Sequence, residues 1–259
     1  MAQRRSFEES NPTSNSVTDS YDILRDEAEL QRFVDRFVPD LGEDEALVLL
    51  LLARSKYFSP EEREAFSLGN PAVLRRETVS SKESLVRRIR TLEVRRGAYV
   101  DREGRALPDH VFGVYLSTNP RSHRKAALAT LQELADRLYD GQPVRVDAVA
   151  TSQLHKAASR KVYLDFDVDI GEGDHLDAIL DEIQTCLGAT PCHVIETRGG
   201  AHVVVPTKQL DPAVKKTFYK DIASIGKRMA GEIEVANDAM VPVPGTCHGG
   251  VVPRLRAPA

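Results

Sequence analysis

Val162-Tyr163-Leu164-Asp165-Phe166-Asp167-Val168-Asp169-Ile170 is the stretch on which the reading of this chain turns. Apolar residues and aspartates alternate strictly, the period of two expected of a β-strand. Leu164, Phe166, Val168 and Ile170 then share one face, and Asp165, Asp167 and Asp169 the other. Aspartate is a poor strand former, and three carboxylates in register repel one another. A hard divalent cation, Mg²⁺ or Mn²⁺, would relieve that repulsion, because such ions prefer carboxylate oxygen. The plainer alternative is an acidic edge strand guarded against sheet-to-sheet pairing. Edge protection, however, usually takes lysine or one inward charge rather than three acids.

The composition sets the frame for that strand. With 259 residues the chain can bury a sizeable core, as one large domain or two small ones. A hydrophobic content of 41% and a charged content of 29% are those of an ordinary soluble globular protein, not of a disordered or membrane-embedded one. The net charge of −4 does not advertise nucleic-acid binding, although local basic patches decide that question more than the sum does. Cys186, Cys192 and Cys247 are too few and too scattered for a disulfide framework, which predicts a reducing, cytoplasmic setting. The polar start, Met-Ala-Gln-Arg-Arg, predicts no signal peptide. The apolar run from Ala46 to Ala53 is too short to cross a bilayer, so no membrane partner is expected.

Outward from the aspartate strand, three segments are expected. Residues 1–20 are polar and read as a disordered tail. Residues 21–108 read as a mainly helical N-terminal region, with helices over Tyr21–Val38 and Glu43–Tyr57 and two more opened by Ser59-Pro60 and Ser80-Ser81. The last of these helices is rich in arginine, including Arg87 and Arg88. Residues 109–259 read as the core. A strand over Val111–Leu116 is followed by a helix from Ser122 to Tyr139, with Leu128, Leu131, Leu134, Ala135 and Leu138 as its core stripe. Val144–Val149 is expected to be a strand. From Lys161 the order strand-helix-strand-strand-helix-strand approximates the split βαβ arrangement of ferredoxin-like folds and RNA-recognition modules. The fold class predicted is α+β, a mixed β-sheet core with an RNA-recognition-like unit.

Two further stretches carry chemistry. In Glu196-Thr197-Arg198-Gly199-Gly200-Ala201-His202, two glycines between apolar strands predict a tight hairpin. Arg198 and His202 flank the turn and are placed to hold an anionic group, with Gly200 allowing close backbone approach. Further on, Asp238 precedes Ala239-Met240-Val241, an apolar strand expected to pair next to the aspartate strand and so to supply a third carboxylate. Glu234, in Ile233-Glu234-Val235, competes for that role, and its direction depends on register. Cys192-His193 and Cys247-His248 would make a zinc site if their strands adjoined. Without a Cys-x-x-Cys pair, buried inert cysteines are the expectation.

Leu164-Asp165-Phe166-Asp167, Gly200-Ala201-His202 and Asp238, in that order, resemble the catalytic core of the archaeo-eukaryotic primase superfamily. Tyr115-Leu116-Ser117-Thr118-Asn119-Pro120-Arg121 and Val243-Pro244-Gly245-Thr246 look like segments of primase-polymerase-like proteins, so the resemblance runs from about Val111 to the C-terminus. It implies a metal-dependent nucleotidyltransferase that initiates or extends strands on a single-stranded or primed DNA template. Asp165, Asp167 and Asp238 would be the catalytic metal ligands for Mg²⁺ or Mn²⁺. Arg198, Gly200 and His202 would bind the nucleoside triphosphate. Arg54, Lys56, Arg87, Arg88, Arg121 and Lys161 would contact nucleic acid. With the chain ending soon after Gly250, a separate helicase or replication partner is expected. The alternatives are a non-catalytic nucleic-acid-binding accessory module and a metal-dependent nuclease using the same carboxylates.

Overall fold

The computed structural model describes residues 19–69, 71–170, 176–229, 231–236 and 239–256. Residues 1–18 of the expected tail, and Asp238, lie outside the described residues. The first helix, α1 (Glu27–Phe37), is capped by Asp26, whose carboxylate accepts from Glu29 N–H, and buries Leu30, Phe33, Val34 and Phe37. Glu45–Ala53 is a strand, β1, where a helix was expected over Glu43–Tyr57. The physical reason is two-sided burial. Leu47, Leu49 and Leu51 face the main core, while Val48, Leu50 and Leu52 face a second cluster with Tyr115. A strand buried on both faces needs continuous apolarity, which erases the period of two and mimics a buried helix. α2 (Pro60–Ala65) opens with the expected capping box of Ser59 and Glu62. β2 (Ala72–Val79) runs antiparallel to β1, and α3 (Lys82–Arg90) follows with Ser81 as its cap. The region before residue 108 is therefore α+β and not mainly helical.

β3 (Phe112–Ser117) pairs with β1, so the boundary expected near residue 108 falls inside a sheet. After β4 (Arg121–Ser122), α4 (His123–Tyr139) and α5 (Val146–Lys156) pack against each other. α5 replaces the strand expected over Val144–Val149, its Ala148 and Ala150 favouring helix once the short valine alternation ends. The expected core stripe of α4 is also corrected: Leu128, Leu131 and Leu138 are 60%, 65% and 67% exposed. The helix instead turns Ala126, Thr130 and Glu133 inward, and Gln153 of α5 donates to Glu133.

β5 (Tyr163–Ile170), α6 (Leu176–Leu187), β6 (His193–Glu196), β7 (Gly200–Pro206), α7 (Phe218–Arg228) and β8 (Gly231–Ala236) realise the predicted strand-helix-strand-strand-helix-strand order. β9 (Met240–Pro242) and β10 (Arg254–Leu255) complete the chain. The two sheets run β2-β1-β3-β9, with β4 added to β1, and β10-β6-β7-β5-β8. In the second sheet these four strands lie in the order β6-β7-β5-β8, with β5 between β7 and β8 and antiparallel to both. Leu164, Phe166 and Val168 pack under α6 and α7. Tyr163, Ile195 and Val204, on the opposite face, enter the same core as α1 and β1. The acid-bearing face of β5 is thus the face that meets the first sheet.

One expectation changes sheets. β9 pairs with β3 (Tyr115 opposite Pro242), not with the aspartate strand. The neighbour of β5 is β8, which puts Glu234 directly opposite Asp167.

Candidate functional site

Where the two sheets diverge, a cleft of about 1030 Å³ opens between them. Its floor on the second sheet is β5. Asp165 is 1% exposed, Asp167 is half-buried and Asp169 reaches solvent. His202, opposite Asp167 on β7, sits between the two inner carboxylates. Its Nδ1–H donates to Asp165 Oδ2 at 3.0 Å, and its Nε2 lies 3.5 Å from Asp167 Oδ1. Burial alone would lower the His202 pKa, but the hydrogen bond to Asp165 and the charges of Asp165, Asp167 and Asp169 outweigh it and raise the pKa above the ordinary imidazole value. The Asp167 carboxyl is pushed up, first by burial, with the neighbouring Asp169 and Asp165 adding to it against His202 and Lys56. Asp165 Oδ1 is buried and accepts no hydrogen bond from any described residue.

The hairpin between β6 and β7 closes one side. Thr197 N–H donates to Gly200 O, and Ile170 N–H to Gly199 O. Gly200 has φ of 155°, and a Cβ there would lie 1.8 Å from Val168 O, so only glycine lets β7 approach β5 at this point. The turn brings Arg198 to the cleft lining beside Asp169 and His202.

The opposite wall comes from the first sheet and is basic and aromatic. Arg54, Lys56, Tyr57, Arg63, Tyr115 and His248 line it. Arg54 Nη1 donates to Tyr115 Oη at 2.7 Å, and its guanidinium lies 6.0 Å and 5.8 Å from the ring centroids of Tyr57 and Tyr115. Its Nε is buried with no hydrogen-bond partner among the described residues. Lys56 is held below its ordinary pKa by burial and by Arg54, with Asp169 and Asp167 pulling the other way. Tyr57 Oη and His248 Nε2 share a hydrogen bond of 2.7 Å.

Of the residues singled out from sequence, Asp167, Arg198, His202, Arg54 and Lys56 line this cleft, while Asp165 is buried behind it against His202 and Gly200 sits in β7 opposite Asp169. Others lie apart from it. Arg121 is 2% exposed, buried where β4 pairs with β1, and offers no surface to nucleic acid. Arg87 and Arg88 ride on α3, whose Leu85 and Ile89 enter the main core against the reverse face of the first sheet. Arg88 is bound to Glu77, opposite Leu49. Lys161 is exposed just before β5, at the end of the strand remote from Asp169. Glu234 lines the cleft. Tyr115 and His248 line the cleft too, although neither was picked out from sequence as a residue of this site. The signal for His248 was its Gly-Gly neighbour: Gly249 has φ of 62°, and a Cβ there would lie 2.6 Å from the Tyr57 ring.

The alternative of a zinc site at Cys192-His193 and Cys247-His248 has no geometry to support it among the described residues. Cys247 is buried in the main core, while Cys192 Sγ donates to Gln184 Oε1 on the other side of the second sheet. Among the described residues, no three His, Cys, Asp or Glu side chains are grouped so as to hold a metal ion on their own. The acidic floor still suits a hard cation. Asp165 leaves one buried oxygen without a partner, and Asp167 is crowded by like charge. Mg²⁺ is commonly held by one or two carboxylates, with water and substrate phosphate filling its remaining positions. Compared with protein-family models, curated proteins and solved structures, the chain gives no significant match. No helix among the described residues is long and apolar enough to cross a membrane.

Proposed function

We propose that the chain is a metal-dependent nucleotidyltransferase of the primase-polymerase type, working on a single-stranded or primed DNA template with nucleoside triphosphates. The observation that carries this reading is the opposition of two walls across one cleft. A carboxylate pair, buried Asp165 and half-buried Asp167 with His202 between them, lies across the cleft from the cations Arg54 and Lys56. A substrate that must touch carboxylates through a metal and cations through its own negative charge is a polyphosphate. Asp165 and Asp167 would hold Mg²⁺ or Mn²⁺, with Glu234 the carboxylate that register puts beside them. Such an ion would supply Lewis-acid chemistry to a phosphoryl transfer, offsetting phosphate charge and activating a primer 3′ hydroxyl.

The chain's own residues then have separate tasks. His202, whose pKa is raised by the hydrogen bond to Asp165 and the charges of the acids around it, lies where a phosphate entering the cleft would meet it. Arg198 and Lys56 neutralise the same group from the two sides of the cleft mouth. Tyr57 and Tyr115 present an aromatic surface next to Arg54, suited to a base or sugar. The split βαβ order of the second sheet agrees with an RNA-recognition-like unit, and the ordered motifs agree with the archaeo-eukaryotic primase superfamily. We further infer a cytoplasmic enzyme that works with a separate helicase.

The test is extension of a labelled primer on a template with Mg²⁺ or Mn²⁺, beside Asp165→Asn/Asp167→Asn. The expected result is at least a hundredfold loss of synthesis in the variant. Synthesis that survives the double substitution overturns the reading. Shortening of labelled single-stranded DNA without nucleotides, also lost in the variant, would assign the carboxylates to a nuclease instead.

A further inference from the structure

α4 carries an apolar face that no other described element covers. Leu128, Leu131 and Leu138 are 60%, 65% and 67% exposed, and Tyr139 at the end of the helix is 93% exposed. With Ala135, also exposed, the leucines follow one another at steps of three, four and three residues, the a and d positions of a heptad. A helix that packs into its own core usually shows a wider apolar stripe, whereas a strict a and d stripe is the seam of a helix pair. The inward side of α4 is already taken. Ala126, Thr130, Glu133 and Arg137 fall on the c and f positions, opposite the seam, where α5 packs and Gln153 donates to Glu133. α5 in turn sets Leu154 against the buried cluster of Val48, Leu50, Leu52 and Tyr115 on the first sheet. The seam of α4 is therefore turned away from its own fold.

We propose that two copies of this chain pair antiparallel through α4, Leu128 of each against Leu138 of the other and Leu131 against Ala135. Charge selects both the occupant and its direction. No acid stands on the seam or beside it, and the cations Arg124 and Lys125 stand only at the N-terminal end. The C-terminal end carries Asp136 and Asp140, while Arg137 there is bound to Glu133. A parallel pair would set two cationic ends side by side. The antiparallel pair brings Arg124 of each copy to the acidic, dipole-negative end of the other helix. Size agrees. The three leucines and Tyr139 offer about 500–600 Å² of apolar surface per copy, at the upper end for a lone monomer's patch. That is somewhat below the roughly 800 Å² per partner of a standard interface, which suits a dimer of micromolar rather than nanomolar affinity. Shape agrees as well: a two-fold axis makes one patch its own complement, and Leu131 meeting Ala135 lets the helices approach closely. A helix lying on a membrane would flank its stripe with Lys and Arg, but of the e and g positions beside this seam only Lys125 is charged. Residues 1–18, with few apolar side chains beyond Phe7 and Val17, are a poor cover for four large ones.

The experiment is sedimentation velocity of the full chain from about 1 to 100 µM, without metal, nucleotide or DNA. Wild type should pass from monomer to dimer across that range. Leu131→Glu should weaken the association about tenfold or more, because it sets two charges into the centre of the seam. Val73→Glu, a like exchange at a 47% exposed position on β2, should stay within about threefold of wild type. The exposure of Leu131 means that Leu131→Glu should keep the wild-type melting temperature, which separates loss of pairing from loss of folding. The double variant Leu131→Glu/Ala135→Lys reads the direction. Antiparallel pairing joins opposite charges twice across the seam, and should recover about threefold or more of the affinity that Leu131→Glu loses. Parallel pairing would join like charges and recover none, which overturns the proposal. Wild type that stays monomeric to about 100 µM overturns it too, and would leave the stripe to a different protein. So does equal weakening by Leu131→Glu and Val73→Glu, which would place the contact elsewhere.

Discussion

His248 should make the native state acid-sensitive in a range where carboxylates have scarcely begun to titrate. It is 5% exposed, its Nε2 is engaged by Tyr57 Oη, and its Nδ1 is buried without a partner. Burial first, and then the charges of Arg54, Lys56 and His202, hold its pKa at about 3. In the unfolded chain the same ring titrates near about 6.5. Below that pH the unfolded state takes up a proton that the native state refuses, so stability falls as pH drops from about 6.5 towards 3. Each pH unit is worth about 1.4 kcal/mol, so the interval from pH 6.5 to 4.5 should remove about 2–3 kcal/mol. For a chain of this size that is about 5–10 °C of melting temperature. His248→Gln cannot titrate and keeps a hydrogen-bonding group for Tyr57. Thermal melts of both proteins from pH 7.5 to 4.5 should therefore diverge, with wild type falling further. His193, whose pKa is lowered by burial and by Arg36, acts with the same sign but is present in both proteins. His202 has a raised pKa. Its stabilisation is complete below the unfolded value and is lost only as pH rises through the folded one, so it adds no slope below pH 6.5. Parallel loss of stability in the two proteins would refute the account of His248 as a buried neutral ring.

Three other outcomes follow from the same structure. Gly200→Ala, whose Cβ would fall 1.8 Å from Val168 O, should cost at least about 3 kcal/mol in urea denaturation; a wild-type midpoint would mean that β7 does not approach β5 so closely. Arg121→Met should cost about 2 kcal/mol or more without altering oligonucleotide affinity, because the side chain is buried; weaker binding at unchanged stability would return Arg121 to the nucleic-acid surface. Asp167→Asn should stabilise the metal-free protein, since a raised pKa means that the ionised carboxylate burdens the native state at neutral pH. With its side chain 39% exposed, screening limits that gain to about 0.5 kcal/mol. Added Mn²⁺ should raise the melting temperature of wild type but not of the variant, and an equal rise in both would place the metal elsewhere.

How far the sequence disclosed this arrangement depended on whether each element kept its period. β5 was legible because one face is apolar and the other acidic, and its partner hairpin because two glycines punctuate it. The order of elements through the second sheet followed from those two anchors. β1 was not legible: with both faces buried, its leucines carry no alternation, and a run of that kind fits helix and strand alike. α4 misled in the opposite sense. Its leucine stripe has the helical period, yet Leu128, Leu131 and Leu138 stand in solvent, since periodicity gives the shape of a helix but not which side meets the core. The basic wall of the cleft was half legible. Arg54 and Lys56 stood out as a cluster, but Tyr115 and His248 come from segments far apart in the chain that meet only because β3 pairs with β1 and Gly113 pairs with His248. Glu234 was a matter of register alone. One residue of slip would have turned it away from Asp167.

The site is tied to the fold through a single strand face whose exposure rises along its length. Tyr163 begins it deep in the core, its ring stacked on Phe37 at 4.7 Å and its hydroxyl donating to Phe37 O. Asp165 comes next and is nearly dry, Asp167 is half-buried, and Asp169 stands at the cleft mouth. The strand cannot slide to relieve the buried acid. Tyr163 anchors one end, Phe166 and Val168 are locked under α6 and α7 on the reverse face, and a one-residue slip would exchange the two faces completely. Electrostatic interactions grow as water is excluded, so the same charge exerts its strongest field at Asp165 and its weakest, most screened one at Asp169. His202 sits at the strong end and answers that field in the free protein. Asp165 is therefore the carboxylate held most firmly in place, and the packing that forbids its escape is the ordinary hydrophobic core of the two sheets.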